Sequence, residues 1–466
     1  MTKRGLIPSL RLLPRALRAS PSARLLVSGS AWSLLVQAVS KGTVLFTTLV
    51  AARALGVADF GLFISLQAIV LLSVSLWDFG VTPMTTRDLA AHQVAIGIAL
   101  RRALVTRLWI LPLWFVVFAG GSWALEVRSG HPLVAAMLFA LAAWSMGISG
   151  VLNGLLQGRM RFRESAYATA GGRIAFALAI AAVAVSAPDW GLPAMTLAFL
   201  AGEVVTLALM IRAIRHELAA PFPLVDSPAA YRSTRGTLRR SSPFAFNGFF
   251  NLVYNRLDVA IVALLAGSVE AGIYAPASRI QDALLFFPSV ATAALMPVAA
   301  RRFGANRDTD AVRRPLPVLI LLGVVFALPA VVATVIFARP LVMIALGDQY
   351  EASVEPVRIL ALSIPFIAAG APVMASLVAI DRARTTTVVY GCGLLAALGG
   401  LAILTPLWGA TGAAWASMAR EPIIAAVALG AFYGGASRLT RRSNPSDRGP
   451  AWREPANATI TPAVDH

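Results

Sequence analysis

Ser33, Gln37 and Lys41 recur at i, i+4 and i+8 in an otherwise apolar stretch, a spacing that places all three on one helix face. Asn251, Asn255 and Asp258 recur at i, i+4 and i+7 farther along, with Arg256 on a neighbouring face. Arg173, Arg279 and the adjacent Arg420 and Glu421 also stand in apolar surroundings. Ionisable groups in such surroundings are costly unless they face a cavity or a partner. A cavity carrying Lys41, Arg173, Arg256 and Arg279 would bind an anion, and guanidinium suits phosphate because its fork donates two hydrogen bonds at once. Asp258 and Glu421 are the groups on which a proton or sodium ion could ride.

The structural alternative is that the same groups tie helices together. Arg173 has Glu203 as an available partner, Arg279 has Asp282 at i, i+3, and Asp78 can cap its helix or pair with Arg87. Arg107 and Arg358 stand near segment ends, where long side chains reach the interface. Arg420 and Glu421, as neighbours, point in different directions, so each is expected to need its own partner. Enzymatic chemistry finds little support. No Gly-x-x-x-x-Gly-Lys-Ser/Thr phosphate loop occurs, and the four histidines lack ligand spacing. The single cysteine, Cys392, excludes an intramolecular disulfide framework. No metal, cofactor or catalytic constellation is called for.

The elements that must position these groups follow from hydropathy. The 466 residues are 58% hydrophobic and only 13% charged, with a net charge of +18. In lipid every backbone polar group must be satisfied internally, so apolar runs of about 20 residues read as spanning helices. Twelve are expected, at 27–52, 60–79, 104–125, 132–156, 165–186, 191–212, 242–265, 271–299, 315–338, 354–380, 385–407 and 410–434. Counting Lys and Arg in the tails and gaps, with Arg212 at the inner end of its span, puts thirty on one side and only Arg53, Arg128 and Arg339 on the other. That asymmetry predicts a multi-pass plasma-membrane protein of bacterial type with both termini in the cytoplasm. Basic residues spread among apolar helices argue against a nucleic-acid partner and for an anionic lipid surface.

The chain also repeats itself. Asp59-Phe60-Gly61-Leu62-Phe63 is matched by Glu270-Ala271-Gly272-Ile273-Tyr274, 211 residues later, and Trp190-Gly191 with Glu203 by Trp408-Gly409 with Glu421, 218 later. Arg159-Met160-Arg161 is matched by Arg382-Ala383-Arg384 at an offset of 223. A duplicated six-helix unit threads the membrane in the same sense twice, so an axis along the membrane normal would relate the halves. The expected organisation is a basic tail 1–26, a six-helix bundle 27–212, a linker 213–241, a second bundle 242–434 and a tail 435–466. The fold class is thus all-α and polytopic, two parallel-repeat bundles around a central cleft.

Several motifs carry a family resemblance. Ala52-Arg53-Ala54-Leu55-Gly56 running into Asp59-Phe60-Gly61-Leu62-Phe63 resembles the first-span signature of the polysaccharide-flippase family. Asp78-Phe79-Gly80 followed by Thr86-Arg87-Asp88, Leu156-Gln157-Gly158, and Trp408-Gly409-Ala410-Thr411-Gly412-Ala413-Ala414 are similar to it too. That family belongs to the multidrug/oligosaccharidyl-lipid/polysaccharide exporter superfamily and includes the Wzx-type O-antigen flippases. The resemblance implies an alternating-access exporter of polyprenyl-pyrophosphate-linked sugar units for surface or exopolysaccharide assembly. It implies Lys41 and Arg256 as ligands of the pyrophosphate or of acidic sugars, Arg53, Asp59 and Arg279 at an outer gate, and Arg87 at an inner one. Membrane lipid, a glycan polymerase and other assembly proteins are the implied partners. The competing readings are a lipid II flippase, a drug or cation antiporter of the same superfamily, a membrane glycan polymerase or glycosyltransferase, and a non-transporting scaffold. A cation exporter would want acids in the first span, which offers Lys41 instead. The longest outside loop, 339–353, leaves little room for a loop-borne catalytic site.

Overall fold

A computed structural model describes residues 21–91, 94–129, 134–186, 190–218, 233–285, 313–380 and 382–439, and the described backbone is helical and strand-free. Both terminal tails, much of the linker and the end of the expected eighth span lie wholly or partly outside these residues. So do the side chains of Ser33, Gln37, Lys41, Asn251 and Asn255. In chain order the helices are α1 (Pro21–Asp78), α2 (Val81–Ala90), α3 (Ile96–Ser129), α4 (Val134–Gly158), α5 (Phe162–Ser186), α6 (Gly191–Leu218), α7 (Thr234–Ala266), α8 (Ser268–Leu284), α9 (Leu316–Ile336), α10 (Ala338–Leu346), α11 (Val354–Ala361), α12 (Ile364–Ala379) and α13 (Ala383–Leu439). A 3₁₀ turn, Asp348–Ser353, leads into α11.

Two helices are far longer than a bilayer is thick. The 58 residues of α1 would measure about 87 Å at 1.5 Å per residue, against roughly 30 Å of hydrocarbon. The chain breaks this length at Gly56 (φ 74°, ψ 174°). The 57 residues of α13 break at Trp408 and Gly409, where φ is 55° at the glycine. Among the described residues seven segments are long and apolar enough to cross a membrane, or eight if the pair Asp348–Ala361 and Ile364–Val378, bent by 42°, counts as one. The expected twelve is a finer count. It divides α1 and α13 at their breaks and adds polar α7 and short α8. The outward surface is apolar, with Trp109 73% exposed, Ile344 75% and Leu395 73%. Large exposed apolar surfaces of this kind on a soluble chain would drive aggregation; facing lipid they are at home.

The internal repeat is visible in the backbone. Gly56 and Gly267, 211 apart, share an extended left-handed conformation (φ 74°, ψ 174° and φ 95°, ψ 173°) that a β-carbon would strain. Gly191 and Gly409, 218 apart, have φ of 53° and 55°. After α4 the Arg161 N–H closes on the Leu156 carbonyl at 2.9 Å, and after α12 the Arg382 N–H closes on that of Leu377 at 2.9 Å. Arg161 is therefore the equivalent of Arg382, at an offset of 221. This corrects the expected register of 223, because the turn hydrogen bond, and not the run of arginines, defines the equivalence.

α1 sits at the centre of the packing, against α3, α5 and α6 on one side and α7 and α8 on the other, while α13 packs on α7, α11 and α12. Two ends of the α1–α8 region are thereby distinguished. At one end the start of α8 lies directly on α1, and at the other α2 lies on the start of α7. The largest apolar cluster spans both repeats, with Phe60, Phe63, Phe139, Tyr274 and Tyr350 all buried.

Candidate functional site

Three adjoining cavities occupy the space between the repeats, and Arg256 on α7 lines all three. In the middle one Arg256 meets Arg173 of α5 and Arg279 of α8, with Thr47, Thr48 and Gln67 from α1 and Glu203 from α6. These three guanidinium groups come from helices of both repeats. Two share a single carboxylate: Asp282 Oδ2 lies 2.7 Å from Arg256 Nη1 and 3.3 Å from Arg279 Nη1. Arg173 Nη1 stands 3.8 Å from Glu203 Oε1, a loose pairing. The middle cavity thus presents three cations against Glu203, with Asp282 at its edge. Arg279 is buried, and its Nε has no hydrogen-bond partner among the described residues. An array of this kind can accept an oxyanion, because charge-assisted hydrogen bonds to phosphate are stronger than neutral ones.

The second cavity adds Asp258, Gln281, Asp282, Arg420 and Glu421. Arg420 Nε lies 2.9 Å from Glu421 Oε1, and both side chains are buried. Although they are neighbours in sequence, the two long side chains bend toward each other and pair. Asp258 is buried too. Its Oδ2 accepts from the Tyr274 hydroxyl at 2.7 Å, that hydroxyl lies 2.9 Å from Ser417 Oγ, and its Oδ1 accepts from the Val259 N–H. Tyr274 so ties α7, α8 and α13 together.

The third cavity lies toward the α2 end and is lined by Ser75, Asp78, Thr82, Arg107, Gly150, Gly248 and Arg256, among others. Arg107 pairs with Asp78, donates to the Gly147 carbonyl and stacks 5.2 Å from the Trp77 ring, whose Nε1 donates to the Arg107 carbonyl. Sequence reasoning had this arginine reaching the interface and Asp78 available to Arg87. Both are corrected, because α3 begins at Ile96 and carries Arg107 three turns inside the helix.

The expected gate residues fall at the two ends. At one, the Arg53 guanidinium donates to the Ile344 carbonyl and the Tyr350 hydroxyl to the Ala52 carbonyl at 2.9 Å, joining α1 to the α10–α11 region. Asp59 follows Arg53 by six residues, past the break at Gly56. There Gly61 and Gly272, the equivalent glycines of the repeats, let α1 and α8 touch: a β-carbon on Gly61 would lie 1.9 Å from the Ser268 carbonyl oxygen, and one on Gly272 1.9 Å from that of Val57. Arg279 is not at this end but lines the cavities. At the other end Arg87 lies over the Phe244 ring at 5.2 Å and pairs with buried Asp88, which also takes Arg240 at 3.2 Å. The lysine at 41 falls outside the described side chains.

The fold is shared with known exporters. A lipid II flippase, MurJ, in an inward closed conformation superposes with a TM-score of 0.62 at 13% identity, covering 86% of this chain and 87% of that one. An inward-facing multidrug resistance MATE transporter of the MOP superfamily gives 0.63 at 15% identity over 87% and 96%. A point mutant of the Vibrio cholerae MATE transporter VcmN gives 0.53 at 14% over 88% and 98%. At these identities the likeness establishes the fold alone, an all-helical membrane architecture. None of the curated proteins matches the chain. Residues 243–419 fit the MatE family pattern. Residues 26–303, more than half the chain, fit that of the polysaccharide biosynthesis proteins, and the chain belongs to that family, within the multidrug/oligosaccharidyl-lipid/polysaccharide exporter superfamily.

Proposed function

We propose that the protein flips a polyprenyl-pyrophosphate-linked oligosaccharide from the inner to the outer leaflet of a bacterial plasma membrane, as a Wzx-type flippase acting by alternating access. The observation that carries this reading is the convergence of Arg173, Arg256 and Arg279, from both repeats, on one cavity. Neutralising the pyrophosphate there lowers the cost of taking a charged head group through a low-dielectric layer. The polyprenyl tail stays in lipid while the head crosses. In this reading the Gly61 end faces outward and the Asp88 end inward, with both termini cytoplasmic. Arg53 and Asp59 belong to the outer closure and Arg87 to the inner one. Lys41 adds a further cation to the cleft, and Asp258 or Glu421 carries the coupling ion. A glycan polymerase and other assembly proteins take the product onward into surface polysaccharide. The test is lipid extraction from cells with and without the gene, with mass spectrometry of polyprenyl-linked sugars. One accumulating lipid-linked oligosaccharide, with loss of the matching surface glycan, is expected. Unchanged lipid intermediates and an intact surface glycan in a strain without a second flippase would overturn the proposal in favour of drug export.

A further inference from the structure

The cavity toward the α2 end differs in chemistry from the one that holds the arginine triad. It offers about 1160 Å³ of empty space, part of it open to the surroundings, and adjoins the triad through Arg256, Leu71, Leu252 and Met146. Apart from the shared Arg256, its charges cancel. Arg107 is 3% exposed and paired with Asp78, so the wall is neutral but dense in donors and acceptors. The Arg107 Nε–H has no hydrogen-bond partner among the described residues. Asp78 Oδ2 accepts only a long bond, 3.4 Å, from the Thr82 N–H, while a carboxylate can accept about four. Thr82 Oγ1 donates to Asp78 Oδ1 and accepts from Arg107 Nη2 at 3.3 Å. Gly150 and Gly248 also line this cavity, and a β-carbon on either would meet no atom of the described residues within 4 Å.

From this contrast, and resting on the flippase reading, we infer that the Asp78–Thr82–Arg107 wall is a sugar subsite that takes the uncharged hexose residues next to the pyrophosphate. A hydroxyl both donates and accepts, so a carboxylate beside a guanidinium satisfies it twice. An anionic group would instead meet Asp78 and be repelled, which separates this subsite from the triad. Two connected subsites, one cationic and one neutral, match a ligand whose pyrophosphate is joined directly to sugar. A hexose bound here gains two or three hydrogen bonds, an affinity increment on the order of tenfold.

The experiment measures binding of three probes to the purified full-length protein in lipid nanodiscs: polyprenyl pyrophosphate, the same lipid bearing one hexose, and the same bearing a neutral tetrasaccharide. The wild type is expected to bind the sugar-bearing lipids about tenfold more tightly than the sugarless one. Gly150→Leu and Gly248→Leu fill the open wall, and each is expected to abolish this preference while leaving sugarless affinity within about twofold. Asp78→Asn, which keeps the side-chain volume, is expected to lower the preference in part. Equal wild-type affinity for sugarless and sugar-bearing lipids would overturn the sugar subsite and leave the flippase reading standing. So would leucine variants that keep the wild-type preference. Failure of the wild type to bind any of the three would overturn both.

Discussion

The contact between Gly61 and Gly272 makes a demanding test of the fold as a moving device. A methyl on Gly272 would lie 1.9 Å from the Val57 carbonyl oxygen, whereas ordinary contact begins at 3.4 Å, so α1 and α8 must part by about 1.5 Å. The obstructing atoms are backbone on both helices, so no side-chain rotation relieves the clash. Overpacking of this kind costs about 1–3 kcal/mol. The cost falls only on the form in which this end is closed, so Gly272→Ala should shift the closed-to-open balance by about 5- to 150-fold. Gly61→Ala should act alike. The assay is thiol alkylation of Ala52→Cys, a buried position at this end, in a Cys392→Ser background that removes the only native thiol. Alkylation should accelerate by the same factor. A Gly272→Ala protein that keeps its oligomeric profile and melting temperature but shows unchanged alkylation would refute the reasoning, since the end would then be a static joint.

Three further outcomes follow from the same contacts. Asp88→Asn removes the charge between Arg87 and Arg240 and should loosen the opposite end; because both arginines are partly exposed, about 1–2 kcal/mol is at stake, read as faster alkylation of a cysteine at Ser241. Arg256→Ala should weaken binding of polyprenyl pyrophosphate by about 10- to 150-fold, since a hydrogen bond from a charged group is worth roughly 1.5–3 kcal/mol, with Arg256→Lys in between. Tyr274→Phe leaves the ring in place but removes the hydroxyl between Asp258 and Ser417. It should lower stability by about 1–3 kcal/mol, measured as a drop in melting temperature, with a smaller drop for Ser417→Ala.

What could be read from the sequence, and what could not, divides along the range of the interaction. The repeat was legible in part because Gly191 and Gly409 serve a local backbone conformation that only glycine tolerates readily. The pairing of Arg279 with Asp282 was legible because i, i+3 neighbours share a helix face. The claim of Arg256 on the same carboxylate was not, because it joins α7 to α8 and depends on how those helices cross. Arg107 was misplaced for a different reason. Arg101 and Arg102 dilute the hydropathy of the first turns of α3, so the apolar run begins at 104 although the helix begins at Ile96. The convergence of Arg173 with Arg256 and Arg279 rests on three helices from two repeats, and no spacing along the chain encodes that meeting.

The central claim is that the arginine-lined cleft carries a lipid-linked sugar across the bilayer. Its most direct test is a reconstituted liposome holding a polyprenyl-pyrophosphate-linked oligosaccharide in both leaflets, with an added glycosidase that reaches only the outer one. Wild-type protein should make nearly all of the lipid cleavable, whereas protein-free liposomes should stop near half and the Arg256→Ala variant should pass half about 10- to 150-fold more slowly than the wild type. Cleavage that stops at half with the wild type, under every ion gradient applied, would contradict the account.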